Sequence, residues 1–152
     1  MPVDDSLIGR TYPPSRVYEV SREKIREFAD AIGDASPLYR DPEAAKAHGY
    51  PDVIAPPTFP IVFALDAALA AATDPSVGID YARVVHGDQK FAYARPLRPG
   101  DRLVTTVEII AARHMAGNDM LTLSCASATE EGEHVVTSIC LVVGRGPDGD
   151  GA

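Results

Sequence analysis

Residues 59–72 read Phe-Pro-Ile-Val-Phe-Ala-Leu-Asp-Ala-Ala-Leu-Ala-Ala-Ala, with a single charge, Asp66, in fourteen positions. The run is entered through Ile54-Ala55-Pro56-Pro57-Thr58, a rigid approach in which two prolines fix the backbone. A helix here is apolar nearly all round, and such a helix belongs inside a protein. Asp66 then sits either at an exposed edge or in a site. Downstream the pattern changes. Segments 81–94, 102–114, 120–129 and 134–143 carry the β-branched and apolar enrichment of strands. Pro99-Gly100-Asp101, Gly117-Asn118-Asp119 and Glu131-Gly132 mark short turns between them, so the strands are expected to be antiparallel neighbours. An antiparallel sheet needs an apolar cover for its inner face, and the alanine-rich helix supplies one. The expected class is α+β, a curved antiparallel sheet wrapped around one long helix.

Upstream of the helix, residues 16–20 alternate polar and apolar, as a short strand does. Ser21 caps a helix with Glu23 in its first turn, and Ile25, Phe28, Ala29 and Ile32 form one buried stripe before Gly33 ends it. Asp41-Pro42 reads as an N-cap and first helical residue of a short helix ending by Gly49. The 152 residues suit one domain, 1–152, with flexible ends near 1–14 and 146–152.

A net charge of −8 opposes binding to phosphate backbones and to anionic membranes, so neither nucleic acid nor membrane is an expected partner. Arg95, Arg98 and Arg102 form a candidate docking patch for an acidic carrier, or else a solvated edge. Cys125 and Cys140 lack metal-ligand spacing and read as buried, reduced side chains. No signal-like N-terminus and no apolar stretch of spanning length is present, so the expected location is cytoplasmic.

Gly33-Asp34-Ala35-Ser36-Pro37-Leu38-Tyr39 resembles the G-D-x-N-P-[LIV]-H signature of MaoC-like (R)-specific hydratases and dehydratases, with Ser36 in place of Asn and Tyr39 in place of His. Ala47-His48-Gly49-Tyr50, Ile54-Ala55, Arg95-Pro96 and Pro99-Gly100-Asp101 extend the similarity over about residues 16–144. The resemblance implies the hot-dog fold. Ala55-Pro56-Pro57-Thr58-Phe59 is most similar to the HadA-type substrate-binding subunits of (3R)-hydroxyacyl-ACP dehydratases, whose motif histidine is also replaced. That likeness implies a hot-dog partner carrying the catalytic Asp and His, with an acyl-CoA or acyl-ACP as substrate. It implies no cofactor beyond the CoA or phosphopantetheine carrier.

Dehydration of a 3-hydroxyacyl thioester needs a base for the proton beside the carbonyl and an acid for the departing hydroxyl. It also needs donors for the oxygen on which charge builds. An ordinary tyrosine ionises near pH 10, so Tyr39 can donate a proton but is a poor base. In the family a glycine N–H before the helix holds the oxygen. Here Pro57 stands in its place and has no N–H. Asp34 remains, although Asp in such a turn is also ordinary turn chemistry. Pro57, Thr58, Phe59 and Phe63 are candidates for an acyl slot, or are core.

His86, beside a Gly87 that suggests a bulge, is the remaining acid/base candidate, or else a strand histidine bonded to a neighbour. His48, His114 and His134 read as surface residues. Three readings follow. One is a catalytically incomplete substrate-binding subunit of a dehydratase. Another is a self-sufficient hydratase or thioesterase using His86, Asp34 or Asp66. The third is a non-enzymatic acyl-thioester binding module. All three expect a dimer, with itself or with a partner.

Overall fold

The computed structural model describes residues 2–146. The elements, in order, are β1 (Tyr18–Glu19), α1 (Arg22–Ala31), α2 (Pro42–Ala47), α3 (Ile61–Ala72), β2 (Val84–Tyr93), β3 (Arg102–Met115), β4 (Asn118–Thr129) and β5 (His134–Gly144). The strands form one sheet in the order β1-β3-β4-β5-β2, and every pairing is antiparallel. α3 packs across its inner face, which is the hot-dog arrangement.

Strand periodicity sets that inner face. Leu103, Thr105, Val107 and Ile109 of β3 are buried, as are Leu121, Leu123, Cys125 and Ser127 of β4 and Val136, Ser138, Cys140 and Val142 of β5. Ala64, Ala68, Ala71 and Ala72 lie between α3 and the sheet, and their small size lets the helix approach closely. Both cysteines are free and buried, and the Cys125 thiol leans on Cys140, which pushes its pKa up.

Local chemistry explains the element ends. The Ser21 hydroxyl accepts from Lys24 N at 3.1 Å, and Asp41 accepts from Glu43 N at 2.9 Å. β3 and β4 meet in a two-residue turn, Ala116-Gly117, with φ of +50° and +76°. Two left-handed residues match the twist of a hairpin. The sequence placed this turn one residue later, at Gly117-Asn118-Asp119. Asn118 and Asp119 instead belong to β4, because pairing runs to Met115–Asn118.

Three further expectations need correction. The lead-in at residues 2–14, expected to be flexible, is laid along β3. Val3 and Leu7 are buried, and Gly9 N and Tyr12 N donate to the Ile109 and Val107 carbonyls. Residues 147–152 of the expected flexible tail lie outside the described residues. Ile32 does not join the buried stripe of α1. It is the C-cap, where the chain turns outward, and it is 49% exposed. Finally, α3 is not buried on every face, since Leu65 is 43% exposed and Asp66 is also at the surface. β2 is equally open. It has a paired neighbour on one side only, and Val85 and Tyr93 beside that free edge are exposed.

Candidate functional site

The Gly33–Tyr39 segment is held by its own turn chemistry. Asp34 Oδ1 accepts from Ser36 N at 3.1 Å, and Ser36 Oγ accepts from Leu38 N at 3.3 Å. Arg40 clamps the turn onto α1 through Asp30 at 2.5 Å and through the Asp34 carbonyl. The turn is also tied to the approach of α3, because Ile54 N donates to Leu38 O at 3.0 Å. Asp34 and Ser36 therefore shape a loop that presents the next side chain, Tyr39.

Tyr39 opens into a cleft of about 390 Å³ whose wall includes Tyr50, Ile54, Pro57, Tyr93 and the stem of Arg95. Two of the three positions at which the sequence departs from the dehydratase pattern, Tyr39 and Pro57, thus face one space. Tyr93 closes it from the strand side, its hydroxyl donating to Pro57 O at 2.7 Å. Burial raises the pKa of both Tyr39 and Tyr93. The nearby Asp34 and Tyr50 add to the rise at Tyr39, and Tyr39 adds to it at Tyr93. These phenols stay protonated at neutral pH and can only donate or accept hydrogen bonds. The start of α3 adds little for a developing oxyanion. Pro56, Pro57 and Pro60 have no N–H, and the N–H groups of Phe59, Ile61, Val62, Phe63 and Ala64 already donate to carbonyls, so that the Thr58 N–H alone in this stretch is left to serve such an oxygen.

The other candidate residues lie elsewhere. Phe59 is fully buried and packs against Phe28 at 5.4 Å and Phe63 at 6.4 Å, so it is core and not a wall of an open slot. Thr58 is exposed beside the cleft, and its carbonyl accepts from Ile61 N. Phe63 stacks on Tyr18 at 5.1 Å and borders a separate cleft of about 290 Å³ that also takes in Arg16 and Asp66. His86 stands at the far end of β2, its Nε2 donating to Asp88 O at 3.0 Å. The bulge expected at Gly87 is present, because the β2–β5 register shifts between His86 and Asp88. A Cβ on Gly87 would meet Leu141 and Val143 at 3.1 and 3.2 Å. No carboxylate is bonded to the His86 ring to orient it as a base.

Two of the three patch arginines, Arg95 and Arg102, are ion-paired. Arg95 makes a two-pronged contact with the buried Asp101, at 2.9 and 2.8 Å, and reaches Glu133 at 2.6 Å. These partners push its pKa further up, while Glu133 is held below the usual carboxylate range. Arg102 bridges Glu19 and Glu130 at 2.9 and 2.6 Å. Arg95 and Arg102 therefore each have two carboxylate partners, as in the solvated-edge alternative for this cluster. Arg95 and Asp101 instead brace the β2–β3 connection, where Arg98 N also donates to Asp101.

The residues that sequence reasoning missed are Tyr50 and Tyr93. Tyr93 lies two positions after Phe91 in a strand, which already placed both on one face. Tyr50 entered the sequence reading only within Ala47-His48-Gly49-Tyr50, a stretch of the family resemblance, with no sign that it lines a site. Among the described residues no group of three or more His, Cys, Asp or Glu could hold a metal ion, and no helix is long and apolar enough to cross a membrane.

Comparison with known proteins agrees with this fold. The model of the family described as "FAS1-like, dehydratase domain region" matches residues 6–138. A UPF0336 protein of Saccharopolyspora erythraea is 56% identical over 156 residues, covering 100% of both chains. A solved MaoC-like dehydratase is 33% identical with a TM-score of 0.86, covering 95% of this chain and 44% of that one. The C-terminally truncated HadBC (3R-hydroxyacyl-ACP dehydratase) complex of Mycobacterium tuberculosis contains a chain 29% identical, with a TM-score of 0.81. That match covers 95% of this chain and 100% of the other.

Proposed function

The chain belongs to the family of FAS1-like dehydratase domain regions, and on that footing we propose that it is a substrate-binding, catalytically incomplete subunit of a (3R)-hydroxyacyl-thioester dehydratase. One observation carries the proposal: Tyr39 and Pro57 face the same cleft, and nothing on its wall can act as a base. The reaction removes a proton beside the thioester carbonyl and expels the 3-hydroxyl as water, which needs one group to accept a proton and another to return one. Burial raises the pKa of Tyr39 and of Tyr93, so neither phenol gives up its proton at neutral pH to become a base. The Arg95 guanidinium is always charged and is engaged by Asp101 and Glu133. Asp34 accepts within its own turn. The cleft is therefore suited to hold part of a ligand, and the proton transfers fall to another chain.

The partner in this reading is a hot-dog chain with the Asp and His of the motif intact, joined along the free edge of β2 into a continuous sheet. A ten-residue strand with one side unpaired is a template for such pairing. Two likenesses support it. The HadBC dehydratase is a complex of chains. The longer MaoC-like dehydratase is matched over only 44% of its length, which leaves room in one chain for a second unit of this size. The substrate is an acyl thioester of CoA or phosphopantetheine, with no further cofactor.

The test is hydration of crotonyl-CoA and longer trans-2-enoyl thioesters. The pure chain would be assayed first, then the chain co-purified with a hot-dog protein bearing the complete motif. Turnover by the pair alone is the expected result. Robust turnover by the pure chain would sink the proposal and direct attention to His86 and Asp66. Ligand-dependent thermal stabilisation without turnover in any pairing would point to a binding module instead.

A further inference from the structure

The tyrosine cleft beside the start of α3 has a chemical preference of its own. Its volume of about 390 Å³ falls within the roughly 300–1,000 Å³ usual for small-molecule sites. We propose that it is a binding site for an organic ammonium ion, a ligand distinct from the acyl thioester. The charged end is held among the phenols of Tyr39, Tyr50 and Tyr93, and the alkyl part lies on Ile54 and Pro57. The proposal does not depend on the paired-subunit reading.

Three observations lead to an ammonium. First, the rings stand around open space and not against one another. Among the described residues, ring-to-ring packing is confined to Tyr18, Phe28, Phe59 and Phe63. The three tyrosines of the cleft thus leave room between them. Aromatic rings grouped about a space attract a cation through the negative face of each π system.

Second, oxygen acceptors gather there. Tyr93 gives its proton to Pro57 O, so its own oxygen has only lone pairs left to offer. The hydroxyls of Tyr39 and Tyr50 have no hydrogen-bond partner among the described residues, and a hydroxyl accepts as well as donates. Beyond the effect of burial, Asp34 and Tyr50 both raise the pKa of Tyr39, and Tyr39 raises that of Tyr93. The polar ends of all three neighbours therefore lie within electrostatic reach of Tyr39. An ammonium group carries three donors and no acceptor, the complement of such a set.

Third, the balance of charge decides the sign. The guanidinium groups nearby are already paired, Arg40 with Asp30 and Arg95 with Asp101 and Glu133. Asp34 forms no ion pair among the described residues, and its hydrogen bond is to Ser36 N within its own turn. A carboxylate or phosphate ligand would meet that charge uncompensated, whereas a cation supplies the missing partner. The net charge of −8 further raises the local concentration of cations.

The experiment follows the tyrosine ring resonances of the full chain by NMR as n-butylammonium or 1-butanol is added. Salt is kept at about 0.15 M, which screens diffuse attraction to surface charge. The probes share their alkyl chain and differ in charge. n-Butylammonium is expected to shift the rings of Tyr39, Tyr50 and Tyr93 saturably, and 1-butanol to bind at least about tenfold more weakly. Asp34→Asn keeps the acceptor that the turn uses and removes the charge. It is expected to weaken n-butylammonium about tenfold and to leave 1-butanol unchanged. Tyr50→Leu is expected to weaken n-butylammonium about two- to thirtyfold. A parent-like ring spectrum elsewhere verifies that each variant is folded. Equal affinity for the two probes overturns the proposal and marks the cleft as an apolar slot. No saturable shift with n-butylammonium, or full affinity for it in folded Asp34→Asn, overturns it as well. No turnover is measured, so failure here leaves the paired-subunit reading standing.

Discussion

The Tyr93 hydroxyl donates to the Pro57 carbonyl at 2.7 Å, joining the open edge strand to the proline-rich approach of α3. Tyr93→Phe removes that bond and keeps the ring. The expected loss is about 1 kcal/mol, or roughly 2–4 °C in Tm for a chain of this size. Calorimetry of the purified variant checks it. An unchanged Tm would show that water replaces the phenol without loss.

Restoring one missing group is not expected to restore chemistry. Tyr39→His returns an imidazole to the cleft, but Pro57 still withholds an N–H and Asp34 still serves its turn. The isolated variant is expected to leave crotonyl-CoA unhydrated. Turnover from that single change would show that the imidazole alone had been lacking.

Alkaline pH is expected to unfold the chain through its tyrosines. Tyr12, Tyr18, Tyr39 and Tyr93 all have raised pKa values, chiefly because burial disfavours the phenolate. An unfolded tyrosine ionises near pH 10. Above that pH the unfolded chain has released protons that the native chain still holds. The stability these four groups contribute is complete below about pH 10 and falls as pH rises through their native values. Tyrosinate absorbance and far-UV dichroism should therefore change together above about pH 10. Ionisation of these four phenols below that pH in a folded chain would contradict the burial argument.

Arg95 is expected to matter for stability, not for docking a carrier. Arg95→Met strands Asp101, which is 7% exposed, without its countercharge. Breaking a buried pair from one side costs about 3–5 kcal/mol, measurable as a lower urea midpoint. Arg102→Met, whose guanidinium is half exposed, is expected to leave the urea midpoint almost unchanged. Similar losses at both sites would mean that burial does not separate them.

Ala116 holds a φ of +50° in the β3–β4 turn, a conformation that Cβ disfavours. Ala116→Gly is expected to stabilise the chain by about 1 kcal/mol, seen as a Tm higher by roughly 2–4 °C. A lower Tm would show that the added freedom of glycine in the unfolded chain outweighs the relieved strain.

The fold was largely legible because its decisive signals are local. An alanine-rich helix behind a double proline, followed by four β-branched segments with short turns, leaves few arrangements. The Ala116-Gly117 turn was misplaced because Asn118 and Asp119 are turn formers by composition, and only the strand register excludes them. The site was legible in part. Tyr39 and Pro57 stood out as departures from a pattern, and the structure brings them to one cleft. What the sequence hid is the company each side chain keeps. Arg95, Arg98 and Arg102 look like a basic cluster until Glu19, Glu130 and Glu133 arrive from other segments and the local Asp101 turns onto Arg95. Phe59 and Phe63 are identical in type and four residues apart, yet one is sealed in the core and the other borders a cleft.

The bare side of β2 also bears on how such a chain is supplied. The outward-facing backbone donors and acceptors of this ten-residue edge strand, those of alternate residues, remain adhesive until they are covered. A copy made ahead of its counterpart is exposed to self-stacking and to proteolytic clearance for as long as it waits. On the paired-subunit reading, matched stoichiometry, through joint synthesis or rapid capture, favours accumulation of the chain. Its abundance would track that of the molecule that covers the strand more closely than its own rate of synthesis.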